Sequence, residues 1–280
     1  MSGRFARACR TTPPCIGALV VMIAGCSTID TDRVIESAPA PLGDPLPLAE
    51  SAESAFAREP REPPAVRDAF ARMSEATRGT EPGDSLHAAF ATRAARYAVW
   101  LANHLDGGEE AAYADSAILF ANTAIRADST RAAPYYWRSI ASGIVARHNQ
   151  LSLGRDAMHR IRADATRAIE IDPAIEHAGP HRVLGALYLR APGPPSGLGS
   201  VARAVRELEA AIRLAPDYPE NRLLLAEAYL RQERLEEARE LLRPILAGEI
   251  EEGDVHEVQE WMERARELER EIRRAGQGTR

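Results

Sequence analysis

The chain has 280 residues, of which 27% are charged, and its 35 basic and 41 acidic side chains give a formal net charge of -6. An acidic balance argues against nucleic acid as a partner and against electrostatic adhesion to anionic lipid. The chain contains no lysine, so it cannot form a P-loop. Neither the zinc-protease motif His-Glu-x-x-His nor the nucleophile motif Gly-x-Ser-x-Gly occurs. We therefore expect no enzyme, no metal site and no cofactor.

The chain begins like an export signal that ends in a lipidated cysteine. Three arginines precede a short apolar run, and Ile-Ala-Gly-Cys stands at 23–26. The run is too short for a permanent membrane helix, and the tetrapeptide resembles the bacterial lipobox. We predict a signal peptide over 1–25 and lipid attachment at Cys26. The alternatives are an ordinary cleaved signal peptide and a signal anchor.

The segment after the cysteine is rich in Pro, Ala, Ser, Glu and Asp and has little apolar periodicity. Such a composition is typical of disorder, so we predict a lipidated N-terminus and flexible linker over 26–63. Cys9 and Cys15 lie in the segment to be removed, which leaves no disulfide within the mature chain. By resemblance to lipoproteins of bacteria with two membranes, Ser27 implies the outer membrane, facing the periplasm. With one membrane, the anchor would place the domain outside it.

From about residue 64 the chain carries a helical pattern rich in Ala, Leu, Arg and Glu, with Gly and Pro mainly at intervals. No segment alternates as a strand would. The sequence therefore predicts an all-α domain over 64–280. The predicted helices cover 64–78, 85–105, 109–127, 132–149, 155–171, 178–190, 199–214, 219–231, 234–247 and 254–275.

The helical region contains an internal repeat. Ala204 and Leu208 recur 34 residues later as Ala238 and Leu242, and 34 residues is the period of a tetratricopeptide repeat. Segments 184–188 and 225–229 fit the first-helix pattern of that repeat. We predict a tetratricopeptide-like solenoid of helical hairpins, with about four degenerate repeats and a C-terminal capping helix.

Two long turns interrupt the repeats at equivalent places, one over 148–154 and one, rich in Pro and Gly, over 192–199. Insertions at matching places lie on one face of a solenoid, which is often its binding face. We therefore predict that these turns bind a partner. The predicted contact residues are His148, Asn149, Gln150, Pro192, Gly193, Pro194, Pro195 and Leu198.

Three aromatic residues, Tyr135, Tyr136 and Trp137, open the helix predicted from residue 132. One interpretation is an aromatic wall for an apolar or cyclic ligand. The alternative is a place in the core, because Trp137 shares a helical stripe with Ile140 and Ile144.

Two histidines, His177 and His181, have the i, i+4 spacing of a helical metal pair. Gly179 and Pro180 lie between them and should interrupt any helix that would align the two rings. Packing between helices explains His181 better than metal ligation.

Several features occur together in this chain. They are the lipobox, the degenerate hairpins with long inner turns, the aromatic opening 133–137, and the segment 179–188, which leads through the Pro/Gly loop to a helix ending at Pro216. In this combination the chain resembles the T component of TRAP transporters, and the resemblance covers residues 115–247. The resemblance implies a periplasmic lipoprotein that contacts the membrane only through its anchor. It also implies that the protein docks a solute-binding protein and offers a pore or groove to a hydrophobic ligand. Both a monomer and an oligomer are compatible with it. The alternative is a scaffold for envelope assembly or secretion that binds a peptide or protein in its concave groove.

Overall fold

The computed structural model describes residues 44–105, 108–148, 154–195, 197–251 and 253–278. These ranges contain eleven α-helices and no strand, which confirms the predicted all-α class. The helices are α1 (Pro45–Phe56), α2 (Pro63–Arg78), α3 (Ser85–His104), α4 (Glu109–Ala127), α5 (Ala132–His148), α6 (Gly154–Ile171), α7 (Ile175–Arg190), α8 (Val201–Leu214), α9 (Pro219–Leu230), α10 (Leu235–Ala247) and α11 (Val255–Gly278). The predictions for residues 1–43, Cys26 among them, and for Asn149 and Gln150 fall outside the described residues.

Consecutive helices pack as hairpins, α1 on α2 through α9 on α10, and α11 packs on α9 and α10. The odd-numbered helices α3, α5, α7 and α9 also pack successively on one another, whereas successive even-numbered helices of the described ranges do not pack to a comparable extent. The odd-numbered helices therefore line the concave side of a curved array. The predicted solenoid of four repeats and a capping helix is confirmed, and a further hairpin precedes them.

That first hairpin corrects the prediction of a flexible linker over 26–63 for its described part, from residue 44 onward. Helix α1 begins after Asp44, whose carboxylate accepts the backbone N–H of Leu46 at 3.1 Å. Its buried side chains include Ala52 and Phe56, and the Phe56 ring stacks on Tyr97 of α3 with 4.2 Å between centroids. A short helix of small residues is marginal alone, so packing on α2 and α3 stabilises it.

Close approach of helices α7 and α8 requires a residue without a side chain at Gly185. A Cβ atom there would lie 2.4 Å from Cγ of Leu208, which is fully buried. Ala204, one turn before Leu208, is also fully buried. This geometry places the small residues of the repeat where the two helices of a hairpin touch.

Helix α11 covers the open end of the last hairpin. Its buried side chains are Trp261, Ala265, Leu268 and Ile272, which share one face, and arginine and glutamate dominate the exposed face. None of the helices in the described ranges has the length and apolarity needed to cross a membrane.

Candidate functional site on the concave face

The two ends of the helical array meet. The backbone N–H of Arg61, in the α1–α2 turn, donates to Oδ2 of Asp254 at 2.7 Å, and the Arg61 guanidinium lies 3.8 Å from Glu257 at the start of α11. His256 and Glu62 lie 3.8 Å apart across the same boundary. We call this the end contact. It joins the first hairpin to the last helix, so the two ends of the array are in direct contact.

Arginines and aromatic rings alternate along the inner face from the end contact. The Arg61 guanidinium lies 5.1 Å from the centroid of Phe56, and the Arg96 guanidinium lies 5.3 Å from Phe56 and 5.8 Å from Trp137. The Trp137 ring then packs against Tyr136 at 4.6 Å. A guanidinium over an aromatic face is attracted by the ring quadrupole, so these contacts tie α1, α3 and α5 together.

The row continues through Arg182 of α7, which is only 7% exposed. Its guanidinium donates to Oδ1 of Asn221 at 3.0 Å and to the hydroxyl of Tyr136 at 3.2 Å, pairs with Glu220 at 2.8 Å, and covers the Tyr218 ring at 4.7 Å. Burial lowers the pKa of Arg182, but Tyr136 and Glu220 outweigh it, and the pKa lies above its ordinary value. Burial raises the pKa of Tyr136 to about 12. Both groups therefore keep their protons at any physiological pH.

Arg182 also stabilises a left-handed backbone turn at the start of α7. Glu176, His177 and Ala178 have φ angles of 47°, 55° and 62°. A residue other than glycine costs about 1–2 kcal/mol in this conformation. Arg182 donates to the carbonyl of Glu176 at 3.4 Å and to that of His177 at 3.1 Å, and the Asn221 amide also donates to the His177 carbonyl, at 3.0 Å. These bonds from α7 and α9 offset the cost of the turn.

The two histidines of α7 have different neighbours. The His177 ring stacks on Tyr218 with 4.4 Å between centroids, whereas Nδ1 of His181 lies 2.8 Å from Glu207 on α8. No set of three His, Cys, Asp or Glu side chains within the described ranges could hold a metal ion.

The structure corrects the ligand-wall prediction for two of its three residues. Tyr136 and Trp137 are 4% and 9% exposed and belong to the core between α3 and α7, where the alternative interpretation placed them. Tyr135 is half-buried, with the Arg138 guanidinium 5.5 Å from its ring. A ligand role for Tyr135 stays a prediction.

Hydrogen bonds hold the two ends of the Pro/Gly loop after α7. Pro192, Gly193, Pro194 and Pro195 are exposed, whereas Leu198 is half-buried against the core of the C-terminal repeats. The Gly199 N–H donates to the Pro192 carbonyl at 2.7 Å, and Arg203 donates to the Leu198 carbonyl at 2.7 Å. His148 ends α5 at the equivalent turn of the preceding hairpin. Because the two hairpins stack, the end of α5 and the Pro/Gly loop lie on one edge of the solenoid, and partner binding there stays a prediction.

Sequence reasoning missed a groove between α3 and α5. It has a cavity of about 370 Å³ lined by Ala89, Thr92, Arg93, Arg131, Ala132, Ala133, Ile171, Asp172 and Ile175. The missed helix α1 forms part of its surroundings, because Glu53 of α1 pairs with Arg93.

A second cavity, of about 460 Å³, lies between α4, α5 and α6, where Arg138 binds both carboxylate oxygens of Asp164 at 2.8 and 2.6 Å.

Residues 197–269 match the family model described as the tetratricopeptide repeat. Among solved structures, the chain is similar to a thermophilic TPR protein of Thermus thermophilus, with a TM-score of 0.58 and 18% identity over 80% of this chain and 98% of that one. A comparison with curated proteins gives no match. Together with the hairpin packing, these similarities give the chain the fold of a tetratricopeptide repeat protein, an architecture that generally serves protein–protein interaction and not catalysis.

Proposed function

We propose that the chain is a non-enzymatic, lipid-anchored scaffold in the periplasm that docks the solute-binding protein of a TRAP-type transport system. The fold supports the protein-binding part of the proposal. The observation that carries the proposal is the Pro/Gly loop, which presents exposed prolines and whose ends are joined by the hydrogen bond from Gly199 to the Pro192 carbonyl. A preformed loop loses little entropy on docking, so it is suited to recognise a partner surface.

The transport assignment is supported by the sequence between residues 115 and 247. One part of it, 179–188, leads into the Pro/Gly loop, and Arg182 of this part binds the turn before it and Asn221 of α9. These bonds hold the start of α7, the helix whose other end carries the loop. Capture from an envelope extract, followed by mass spectrometry, tests this assignment.

The mature protein immobilised on beads should enrich a solute-binding protein of the TRAP class. A matched bait in which the exposed prolines of the loop are replaced by serine serves as the control, and it should lose that protein. Enrichment of assembly or secretion components instead would favour the envelope scaffold and overturn the transport role.

The lipid anchor is supported by Ile-Ala-Gly-Cys at 23–26 and by the export signal that precedes it. Two or three acyl chains give stable anchoring, whereas one chain alone is marginal. The Cys26→Ser variant should lose labelled palmitate and leave the membrane fraction, while a Cys15→Ser control keeps both. Palmitate that persists on Cys26→Ser would contradict the anchor.

A further inference from the structure

Arg96 has an unusual environment on the concave face. Its guanidinium lies between two aromatic rings, Phe56 of α1 at 5.3 Å and Trp137 of α5 at 5.8 Å, and its side chain is exposed. Within the described ranges it has no carboxylate partner and donates no hydrogen bond to the protein. Five N–H donors in a planar fork are thus held in place without an acceptor.

The neighbouring arginines differ from Arg96 in this respect. Arg93, on the same face of α3, pairs with Glu53, and Arg131, at the turn before α5, pairs with Asp128 at 2.8 Å. Their charges are therefore compensated within the protein. Arg96 is the guanidinium beside the groove whose charge the described residues do not compensate.

Arg96 lies in line with the groove between α3 and α5. Ala89, Thr92 and Arg93 of the cavity share one face of α3 with Arg96, and Ala133 of the cavity precedes Trp137 by one turn of α5. The rise of an α-helix places Arg96 about 4–10 Å along α3 from the cavity lining. An extended segment of two or three residues covers that distance.

The lining of the cavity suits an apolar side chain. Alanine and isoleucine account for five of its nine lining residues, and the two arginines among the others are paired within the protein. Asp172, in the turn between α6 and α7, also lines it. An acidic group is favoured beside Arg96 and disfavoured beside Asp172. The groove thus favours a ligand with an acidic group beside Arg96 and an apolar group in the cavity.

We propose that this groove binds an extended segment of the partner protein in which an acidic side chain, held by Arg96, neighbours an apolar side chain, held in the cavity. This inference rests on the proposed protein-binding function and names the chemistry of the segment that is bound. Phe56 and Trp137 keep the guanidinium in place before binding, so little side-chain entropy is lost when the carboxylate arrives. Helix α1 is part of the site, because it supplies Phe56 and the Glu53 partner of Arg93.

Fluorescence anisotropy with two labelled peptides tests the proposal on the full-length protein in detergent. One peptide alternates leucine with glutamate, and the other has glutamine in place of glutamate. The acidic peptide should bind about tenfold more tightly or better, the effect of one charge-assisted hydrogen-bonded contact. Arg96→Gln should abolish this preference, and circular dichroism should show unchanged helix content.

Arg206→Gln is the matched control, because Arg206 is exposed on α8 and donates only to the Ala202 carbonyl of its own helix, at 3.4 Å. It should bind both peptides as the wild type does. Ala89→Trp fills the cavity without altering Arg96, and it should weaken both peptides to a similar degree.

Three results would overturn the inference: an acidic preference that survives Arg96→Gln, an equal loss in Arg206→Gln, or decanoate binding at Arg96 in the absence of any peptide binding. The last result would assign the groove to a small amphiphile. If the peptides fail but the envelope partner is still captured, the partner docks elsewhere and the proposed function stands. If the peptides bind as expected but no envelope protein is captured, the groove is correct and the transport role fails.

Discussion

Arg61 donates its backbone N–H to Asp254 at 2.7 Å, although 193 positions separate the two residues in the sequence. The other carboxylate oxygen accepts the N–H of His256 at 2.9 Å, and the Asp254 N–H donates in turn to Glu257 at 2.9 Å, which forms a capping box at the start of α11. Burial would raise the pKa of Asp254, but the two backbone donors and the charge of Arg61 outweigh it, and the pKa is lowered. One carboxylate thus caps the last helix and holds the first hairpin.

We expect Asp254→Ala to destabilise the protein at neutral pH by about 1–3 kcal/mol, because it removes a helix cap and leaves two partly buried N–H donors without an acceptor. The folded-state pKa is lowered, so the carboxylate stabilises the fold above its ordinary pKa of 3.8 and loses this effect as the pH falls through the folded-state value. Urea unfolding at pH 7, 5 and 3 should show the difference between wild type and variant shrinking at pH 3.

Asp217→Ala is the control for this experiment, since the Asp217 side chain is 88% exposed and pairs only with Arg222 at 3.1 Å. Its unfolding should match the wild type within about 0.5 kcal/mol at all three pH values. Equal stability of wild type and Asp254→Ala at pH 7 would show that the end contact contributes nothing to the fold.

The positions of the helices were predictable because apolar periodicity and Gly or Pro punctuation are local properties of the sequence. Helix α1 was missed because its stability depends on tertiary contacts such as Phe56 on Tyr97. The left-handed turn at residues 176–178 was not predictable, since its carbonyls are bound by Asn221, which lies 44 residues after His177. The end contact and the site around Arg96 were not predictable either, because each joins segments that are far apart in the sequence and no local pattern indicates that they meet.

The packing of α7 against α8 makes Gly185→Ala a sensitive test of the repeat register. The added Cβ atom would lie 2.4 Å from Cγ of the fully buried Leu208, and such overpacking costs about 1–3 kcal/mol. Gly143→Ala on α5 is the matched control, because nothing lies within 4 Å of its Cβ position. Alanine there should stabilise the helix by up to about 1 kcal/mol. Thermal midpoints that move in the same direction in both variants would contradict this packing.

Arg182 should be one of the most sensitive positions in the chain. Arg182→Met removes the donor to the Glu176 carbonyl, the Asn221 amide oxygen and the Tyr136 hydroxyl, and leaves the His177 carbonyl with the Asn221 amide alone. We therefore expect a loss of about 3 kcal/mol or more in urea unfolding.

Hydrogen exchange should locate the Arg182→Met effect in the α6–α7 and α8–α9 turns, where the bonds are lost. Arg213→Met, at an exposed position near the end of α8, is its control and should change stability by less than about 0.5 kcal/mol. A loss below about 1 kcal/mol for Arg182→Met would mean that water replaces the guanidinium at little cost and that the left-handed turn is stable without it.

The last prediction concerns the loop after α7 and its role in partner binding. Replacing Pro192, Pro194 and Pro195 together by serine keeps the length of the loop and the half-buried Leu198. It also keeps the hydrogen bond that Arg203 donates to the Leu198 carbonyl. Stability should fall by only about 1–2 kcal/mol, because the substitutions mainly increase the freedom of the unfolded chain. Capture of the envelope partner should nevertheless fall about tenfold or more, since both the exposed ring contacts and the fixed loop shape are lost.

Pro82→Ser and Pro216→Ser form the matched control for the loop variant, because both prolines are exposed in turns on the opposite edge of the solenoid. This control should capture the partner as the wild type does while losing a similar amount of stability. Comparing the two variants separates recognition by the loop from a general loosening of the turns. If the loop variant retains the partner with unchanged affinity, the loop is only a long connection between α7 and α8, and the groove beside Arg96 becomes the surface on which docking must depend.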